Sequence, residues 1–351
     1  MHVGVDLGSQ PVRTATRDAT GAVSTTSGPA RADTELSVMV AAVPDAWLAG
    51  DLAGARRGEA ARRALEHEWA ALVQRTVGRA QAAVAGATTT PDGQYAVCDI
   101  ASTTVSVVIC RREADTVTVL GAEVVDATVE DLAAVLGQAT PAEQRRAAVV
   151  IPAAAQLSRY RTTVLYGRVV AGDLLDGFAP VCAAIAGLRA TGPALILGPP
   201  IDGHALDAVA ALLGVPAALA LPDDVVCEGA LAIAEGRVRV ADTSPATLAL
   251  PAHRVLAGQL VDETISLAQQ GRPLAGWVLS QQGPLTVEVR PGDELPLLWR
   301  GQPLPLSTVP AGLYQFGFWP SHHGPGLLIL RPSPRGEPVL VSLDITSGGA
   351  R

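Results

Sequence analysis

The chain has 351 residues, a formal net charge of −8 and 48% hydrophobic residues, while only 17% of its residues are charged. This length exceeds that of a typical single domain, so the sequence predicts two domains. The apolar content excludes a disordered chain, and the negative charge argues against nucleic acid or an anionic membrane surface as the main partner. All 26 basic residues are arginine, because the sequence contains no lysine.

Two features of the sequence predict a cytoplasmic protein without a membrane span. The first predicted strand begins at Val3, which leaves no room for a signal peptide. Pro, Gly or charged residues interrupt every apolar run before it reaches the length of a membrane span. The four cysteines show no CxxC spacing, so we expect buried free thiols rather than a metal site or disulfides.

The N-terminal segment alternates apolar residues and then reaches Asp6-Leu7-Gly8-Ser9. This pattern predicts a strand that enters a tight hairpin. Gly8 allows a ligand to approach the backbone, successive N–H groups and the Ser9 hydroxyl can bind a phosphate, and Asp6 can hold a water molecule on Mg²⁺. The structural alternative is a buried strand followed by an ordinary turn.

A second segment repeats this arrangement. The apolar run 95–100 contains Asp99 near its end, and the small residues Ala101, Ser102, Thr103 and Thr104 lead into the next apolar run, 105–109. Two such units in one chain resemble the two phosphate-binding hairpins of the actin-like ATPase superfamily, which face each other across a nucleotide cleft. Residues 193–200, which include Gly198, resemble the adenosine-binding turn of that superfamily.

Other segments resemble the Hsp70 branch of the superfamily. They are residues 36–40, 50–53 and 222–232 in the first part of the chain, and 255–267, 291–297 and 341–345 in the last part. The resemblance predicts a divergent Hsp70-like protein, with a reduced α/β actin-like ATPase domain of the duplicated ribonuclease H-like type at residues 1–240. A linker at 241–253 and a small all-β sandwich domain at 254–351 follow, and we expect no helical lid after the β domain.

The resemblance implies a set of nucleotide-binding residues: Asp6, Gly8, Ser9, Asp99, Ser102, Thr103, Thr104 and Gly198. ATP or ADP is the implied ligand, with Asp6 and Asp99 holding Mg²⁺ through water. A protein or peptide partner is implied for the β domain. Three departures weaken the implied chemistry: small residues with side chains replace the glycines of the second hairpin, no lysine exists, and residues 77–83 contain no acid where the family has its water-positioning glutamate.

Three functions therefore stay open. The first is a catalytically degenerate Hsp70-like scaffold or adaptor, with or without bound nucleotide. The second is a slow ATP-dependent chaperone in which arginine replaces the missing groups, and the third is a structural interaction module that binds no nucleotide. We adopt the first, because Asp6, Gly8 and Ser9 are intact whereas the lysine and the glutamate are missing, and each loss would cost orders of magnitude in rate.

The periodicity of the chain supports two different parts. Strands alternate with helices up to about residue 240, and residues 51–86 carry apolar residues at the three- and four-residue spacing of a helix. Short β runs follow, and they are rich in aromatic residues. These are Trp277, Trp299, Tyr314, Phe316, Phe318 and Trp319. A core role is expected for any one of them, but their number predicts a protein-binding surface. The pair His322-His323 predicts a loop tip rather than a metal site.

Overall fold

The computed structural model describes residues 1–28, 38–69, 72–87, 91–100, 104–126, 140–167, 169–198, 203–241, 244, 246–272, 276–280, 283–291, 295–304, 309–322, 326–333 and 336–343. Ser102, Thr103, His323 and the predicted helix 129–136 lie outside these ranges. Among the residues described, no helix combines the length and the apolar character needed to cross a membrane. Cys98, Cys110 and Cys227 are buried free thiols, as predicted, and Cys182 is half-buried.

The first sheet is built from the N-terminal hairpins and two later strands. Its members are β1 (His2–Asp6), β2 (Arg13–Arg17), β3 (Val23–Ser27), β4 (Val38–Val43) and β5 (Arg75–Gly78). The strand order is β3-β2-β1-β4-β5. Strands β1, β2 and β3 are antiparallel neighbours, whereas β1, β4 and β5 run parallel. Asp6 is therefore placed at the carboxyl end of the central strand.

The second sheet repeats this order. Its members are β6 (Gly93–Ile100), β7 (Thr104–Glu113), β8 (Thr116–Asp126), β11 (Ala194–Leu197), β12 (Ala218–Ala220) and β13 (Arg239–Val240), while β9 (Val164–Tyr166) pairs separately with β10 (Val169–Val170). Strands β8-β7-β6-β11-β12 match β3-β2-β1-β4-β5 in order and in direction. The duplicated ribonuclease H-like unit of the actin-like ATPase fold is thereby confirmed, and Asp99 lies near the end of its central strand as Asp6 does in the first.

Of the six helices in the described part of the chain, two lie between the sheets. The helices are α1 (Leu52–Trp69), α2 (Arg79–Gly86), α3 (Pro141–Gln156), α4 (Ala171–Gly187), α5 (Gly203–Leu213) and α6 (Val225–Ala234), with 3₁₀ turns at Asp45–Leu48 and Ser158–Tyr160. Helices α2 and α6 share one buried cluster with strands of both sheets. The two helices are in close contact where they cross. Glycine is needed at this crossing, because a β-carbon on Gly229 would lie 1.8 Å from the Ala82 carbonyl oxygen. This crossing fixes where α2 begins.

The helical pattern predicted over residues 51–86 is interrupted by a strand. Strand β5 pairs in parallel with β4, with Thr76 opposite Ala41 and Val77 opposite Ala42. Thr76 and Val77 are β-branched and buried, so a strand fits them better than a helix. The consequence is that α2 starts directly at the carboxyl end of β5.

The C-terminal part is a sandwich of two four-stranded sheets. One contains β14 (Leu248–Leu256), β15 (Gln259–Ala268), β19 (Leu298–Trp299) and β20 (Gln302–Pro303), and the other β18 (Thr286–Val289), β21 (Gly312–Trp319), β22 (Leu327–Ser333) and β23 (Val339–Ser342), beside the small hairpin β16 (Leu279–Ser280) and β17 (Gly283–Pro284). Both sheets contribute to one core. Strand β14 begins inside the segment predicted as a linker, because Leu248 and Leu250 are buried in this core.

A buried cluster of charged residues and tryptophan joins the sandwich to α1. Glu59 and Arg62 of α1 have no solvent exposure, and Arg331 of β22 donates to Glu59 at 2.6 Å and to Glu66 at 2.8 Å. The Trp277 indole donates to Glu66 at 2.7 Å. The guanidinium groups of Arg62 and Arg331 both lie over its ring, at 4.4 Å and 4.0 Å from the ring centre. The ion pairs are thus completed by both parts of the chain.

The aromatic residues predicted to form a partner surface are buried instead. Trp277, Trp299, Tyr314, Phe316, Phe318 and Trp319 are each at most 3% exposed. Most of them fill the sandwich core, but Trp319 packs against α1, where Gly58 leaves room for its ring: a β-carbon there would lie 2.0 Å from it. The aromatic concentration is therefore explained by one core and one internal contact surface.

The cluster predicts a large effect of Glu66→Ala on stability. The substitution leaves Arg331 with one carboxylate fewer and the Val73 N–H and the Trp277 indole without their acceptor. Breaking a buried ion pair by removing one partner costs about 3–5 kcal/mol. We expect a loss of that size in the free energy of unfolding measured with urea. Glu68→Ala, an exposed position on the same helix, should stay within about 0.5 kcal/mol of the wild type; equal losses would contradict the prediction.

Candidate functional site

The candidate site lies where the two sheets present equivalent acidic residues. Asp6 is the last residue of β1 and is completely buried, and Asp99 is the penultimate residue of β6 and is 6% exposed. The resemblance places phosphates and Mg²⁺ between these two carboxylates. The structure therefore brings together the two acids that the sequence predicts to share a site.

An arginine lies between the two acids. Arg79, the first residue of α2, donates from Nε to Asp6 Oδ1 at 3.1 Å and from its second terminal nitrogen to Asp6 Oδ2 at 3.2 Å. Its first terminal nitrogen lies 2.7 and 2.8 Å from the two carboxylate oxygens of Asp99. The side chain is 16% exposed. One guanidinium thus contacts both carboxylates with hydrogen bonds of the charge-assisted kind.

The groups of the first hairpin that the sequence predicts to bind phosphate are hydrogen-bonded within the hairpin. The Gly8 N–H donates to Asp6 Oδ1 at 2.9 Å, and the Ser9 hydroxyl donates to the Asp6 carbonyl at 3.0 Å while accepting from the Arg13 N–H at 3.1 Å. A β-carbon on Gly8 would lie 2.4 Å from Cδ of Arg79. The side of Gly8 at which the resemblance implies a phosphate is therefore covered by the arginine stem.

A third acid fixes the start of α2. Asp45 is 1% exposed, and its Oδ2 accepts from the Ala80 N–H at 2.9 Å. Its Oδ1 lies 2.8 Å from Nε2 of His322, whose side chain is 5% exposed. Gln81 caps the same helix end by accepting from the Gly78 N–H at 3.0 Å. These contacts hold the backbone on both sides of Arg79.

His322 lies in the segment between β21 and β22, but its side chain is 5% exposed and contacts Asp45 instead of projecting from a loop tip. The burial has a physical cause, because its backbone N–H donates to the Leu48 carbonyl at 2.9 Å and draws the segment against the 3₁₀ turn. Within the described part of the chain, no group of three or more His, Cys, Asp and Glu side chains could hold a metal ion.

Burial and charge set the protonation of the pair. Burial, aided by the nearby charges of Asp45 and Asp6, raises the pKa of Asp99 to about 6, and Arg79 limits the rise. Burial also opposes the charge of Arg79, but Asp99 and Asp6 outweigh it and hold the pKa of the guanidinium above its usual value. Near neutral pH the two residues therefore form an ion pair in a mostly buried site.

The remaining predicted site residues lie at the ends of neighbouring strands. Thr104 is the first residue of β7, the strand that follows β6 in the chain. Gly198 follows β11, which pairs with β6 so that Leu197 lies opposite Asp99. Gly198 has a φ of 141°, and a β-carbon there would lie 3.2 Å from the Ile100 carbonyl oxygen. In the described part of the chain, strand geometry alone connects these two residues to the acids.

Sequence reasoning missed three residues of the site: Arg79, Asp45 and His322. No local signal marked Arg79. A cation at the first position of a helix is disfavoured by the partial positive charge of the helix N-terminus, but the sequence predicts one helix through residues 51–86, and only the structure shows that Arg79 begins a helix. No local signal marked Asp45 or His322 either, because their contact joins residues far apart in the chain.

The residues present do not fit a resident Mg²⁺ ion. The fold class implies one, held through water by acids at these strand ends. Here the space between Asp6 and Asp99 is filled by the Arg79 guanidinium, and an oxygen-coordinated cation would have to displace it.

Likeness to known proteins is confined to the fold. No protein-family model matches the chain, and no curated protein matches its sequence. The activator of the 2-hydroxyisocaproyl-CoA dehydratase from Clostridium difficile with bound ADPNP aligns at a TM-score of 0.40 and 12% identity, covering 67% of this chain and 95% of that chain. The ethanolamine utilization protein EutJ from Carboxydothermus hydrogenoformans aligns at a TM-score of 0.36 and 16% identity, covering 65% of this chain and 88% of that chain.

The (R)-2-hydroxyglutaryl-CoA dehydratase component A of Acidaminococcus fermentans gives a TM-score of 0.40 and 13% identity, covering 67% of this chain and 98% of that chain. All of these scores are low. The chain is therefore assigned to the actin-like ATPase fold on the strand order of its two sheets.

The raised pKa of Asp99 predicts a pH dependence of stability. Between about pH 4, where an unfolded Asp releases its proton, and about pH 6, where the folded one does, the folded state binds more protons. The contribution of Asp99 to stability is therefore complete below pH 4 and is lost as the pH rises through 6. In urea unfolding, the free energy of unfolding of the wild type minus that of Asp99→Asn should fall as the pH rises across this window. A difference that rises with pH would contradict the prediction.

Proposed function

We propose that this protein is a scaffold or adaptor on the actin-like ATPase fold, which does not hydrolyse ATP efficiently and which binds a protein partner through its C-terminal β sandwich. The observation that carries the proposal is the Arg79 guanidinium, which occupies the space between Asp6 and Asp99. The groups that would position a phosphate are engaged with each other, so the cleft is arranged for stability rather than for turnover.

The chemistry of phosphoryl transfer supports this view. That reaction depends on positioned donors, on a cation at the leaving charge and on a residue that orients the attacking water. The chain has no lysine, and Arg79 stands at the start of α2 where the resemblance implies the water-orienting glutamate. A guanidinium cannot accept a proton from water or orient it as a base, because its pKa is too high.

A slow ATPase is the second candidate, and one observation favours it. Arg79 is a cation in the cleft, and guanidinium groups bind phosphate well. To do so it would have to leave Asp6 and Asp99, whose carboxylates repel phosphate. Asp6, Gly8, Ser9, Asp99, Ser102, Thr103, Thr104 and Gly198 would then form the nucleotide site. This candidate needs ATP or ADP to supply the energy of opening the ion pairs.

The proposed partner site is the outer edge of β15. The Hsp70-like character of the proposal is supported by a two-sheet sandwich that follows the nucleotide-type domain. Within the described residues β14 is the sole strand paired with β15, and residues 261–264 are exposed. Val261, Asp262 and Thr264 are exposed on this edge strand, and an extended peptide can add to such an edge by main-chain pairing. The buried aromatic residues are not part of this surface.

The proposal predicts ATP turnover no faster than the background rate. A coupled assay with Mg²⁺ and ATP should give the same rate for the wild type, for the variant Asp6→Asn/Asp99→Asn and for buffer. The missing lysine and glutamate each account for orders of magnitude in rate. A steady rate in the wild type that disappears in the double variant would establish the second candidate instead.

The partner site predicts a position-specific crosslink. A photoreactive p-benzoylphenylalanine at Val261, which is 40% exposed on β15, should give a covalent adduct with one partner protein in cells. The same group at Val149, which is 73% exposed on α3, serves as the control and should give none. Adducts of equal yield at both positions, or at Val149 alone, would place the interaction surface elsewhere.

A further inference from the structure

The Arg79 ion pairs connect the two halves of the duplicated fold. Arg79 follows β5 of the first sheet and binds Asp6 of the same sheet, but its second partner, Asp99, belongs to the second sheet. We propose that Arg79 is a built-in replacement for the divalent cation of this fold class: it neutralises both acids and holds the ends of β1 and β6 together without any bound metal or nucleotide.

The charges at this point require a cation. Asp6, Asp45 and Asp99 are all buried, and burying a carboxylate without a partner is strongly unfavourable. Among the described residues, Arg79 is the one basic side chain paired with both Asp6 and Asp99. His322 and the Ala80 N–H bind Asp45. Within the described residues, neither of them forms a hydrogen bond with Asp6 or Asp99.

The guanidinium group of arginine is well suited to this role. Its planar fork binds two carboxylates at once, and it stays charged at every pH at which proteins fold. A cation that belongs to the chain also needs no loading, so the state of the cleft does not depend on the concentration of Mg²⁺. The stem of Arg79 over Gly8 adds a steric block to the electrostatic one.

This inference rests on the proposed function in one respect: a cleft that bound Mg²⁺ with nucleotide would have to expel Arg79. The scaffold function and the role of Arg79 are tested by different experiments. Turnover of ATP by the wild type would overturn the scaffold, whereas the role of Arg79 is tested by metal binding in the absence of any nucleotide.

The test is whether removing Arg79 creates a divalent-cation site. Arg79→Ala should unfold several degrees below the wild type in chelator, and Mg²⁺ or Mn²⁺ should restore much of the loss, because an ion that binds only the folded state raises its stability. The wild type should show no such response. Arg79→Ala/Asp99→Asn, which lacks one of the two acids, should lose the response as well.

Arg13→Ala is the matched control. Arg13 also bridges two aspartates, Asp223 and Asp224, but these are 61% and 39% exposed, so water replaces the lost cation. We expect no metal-dependent gain in that variant. If Arg79→Ala does not fold, Arg79→Gln keeps hydrogen-bond donors without the charge, and Mn²⁺ binding to it, measured by electron paramagnetic resonance, gives the same answer.

Two outcomes would overturn the inference. If Mg²⁺ stabilises the wild type as much as Arg79→Ala, the metal and the arginine do not compete for one place. If Arg79→Ala and Arg79→Gln are both destabilised but bind no Mn²⁺, Arg79 is an ordinary structural ion pair and the acids are not a latent metal site.

Discussion

The structure of this protein depends on how three buried carboxylates are neutralised. Duplication of the fold brings Asp6 and Asp99 to the same cleft, and the turn after β4 adds Asp45. Such a group of acids is stable only with a cation or with hydrogen-bond donors directed at it. The chain supplies the Arg79 guanidinium for two of the acids and the amide end of α2 with His322 for the third.

Helix α2 is the element that makes this arrangement possible. It starts at the carboxyl end of β5, and its crossing with α6 at Gly229 sets its position between the sheets. An arginine at its first position would be unfavourable on an isolated helix, but here the acids outweigh the helix dipole. Since Asp45 and His322 hold the backbone beside Arg79, the C-terminal sandwich takes part in positioning the cleft residues.

The strand–acid–turn units were predictable because alternating apolar residues and a terminal acid are local signals, and the duplicated fold follows from them. The strand β5 was hidden, since Val73, Val77 and Ala80 also match a helical spacing. Arg79 was overlooked because the resemblance directs attention to the glutamate that is missing there. The contacts of Asp45 with His322 and of Glu66 with Arg331 join residues more than 250 positions apart, and no local pattern encodes them.

The sequence contains no lysine, and the buried ion pairs show what arginine provides in its place. Arg62 and Arg331 both lie over the Trp277 ring, and Arg331 also binds two glutamates. Arg79 binds two aspartates. Each contact uses the planar guanidinium, which stacks on aromatic rings and donates in several directions, whereas an ammonium group is a point charge with a larger hydration cost. Whatever drove lysine out of the sequence, the buried sites are built in a geometry that lysine could not reproduce.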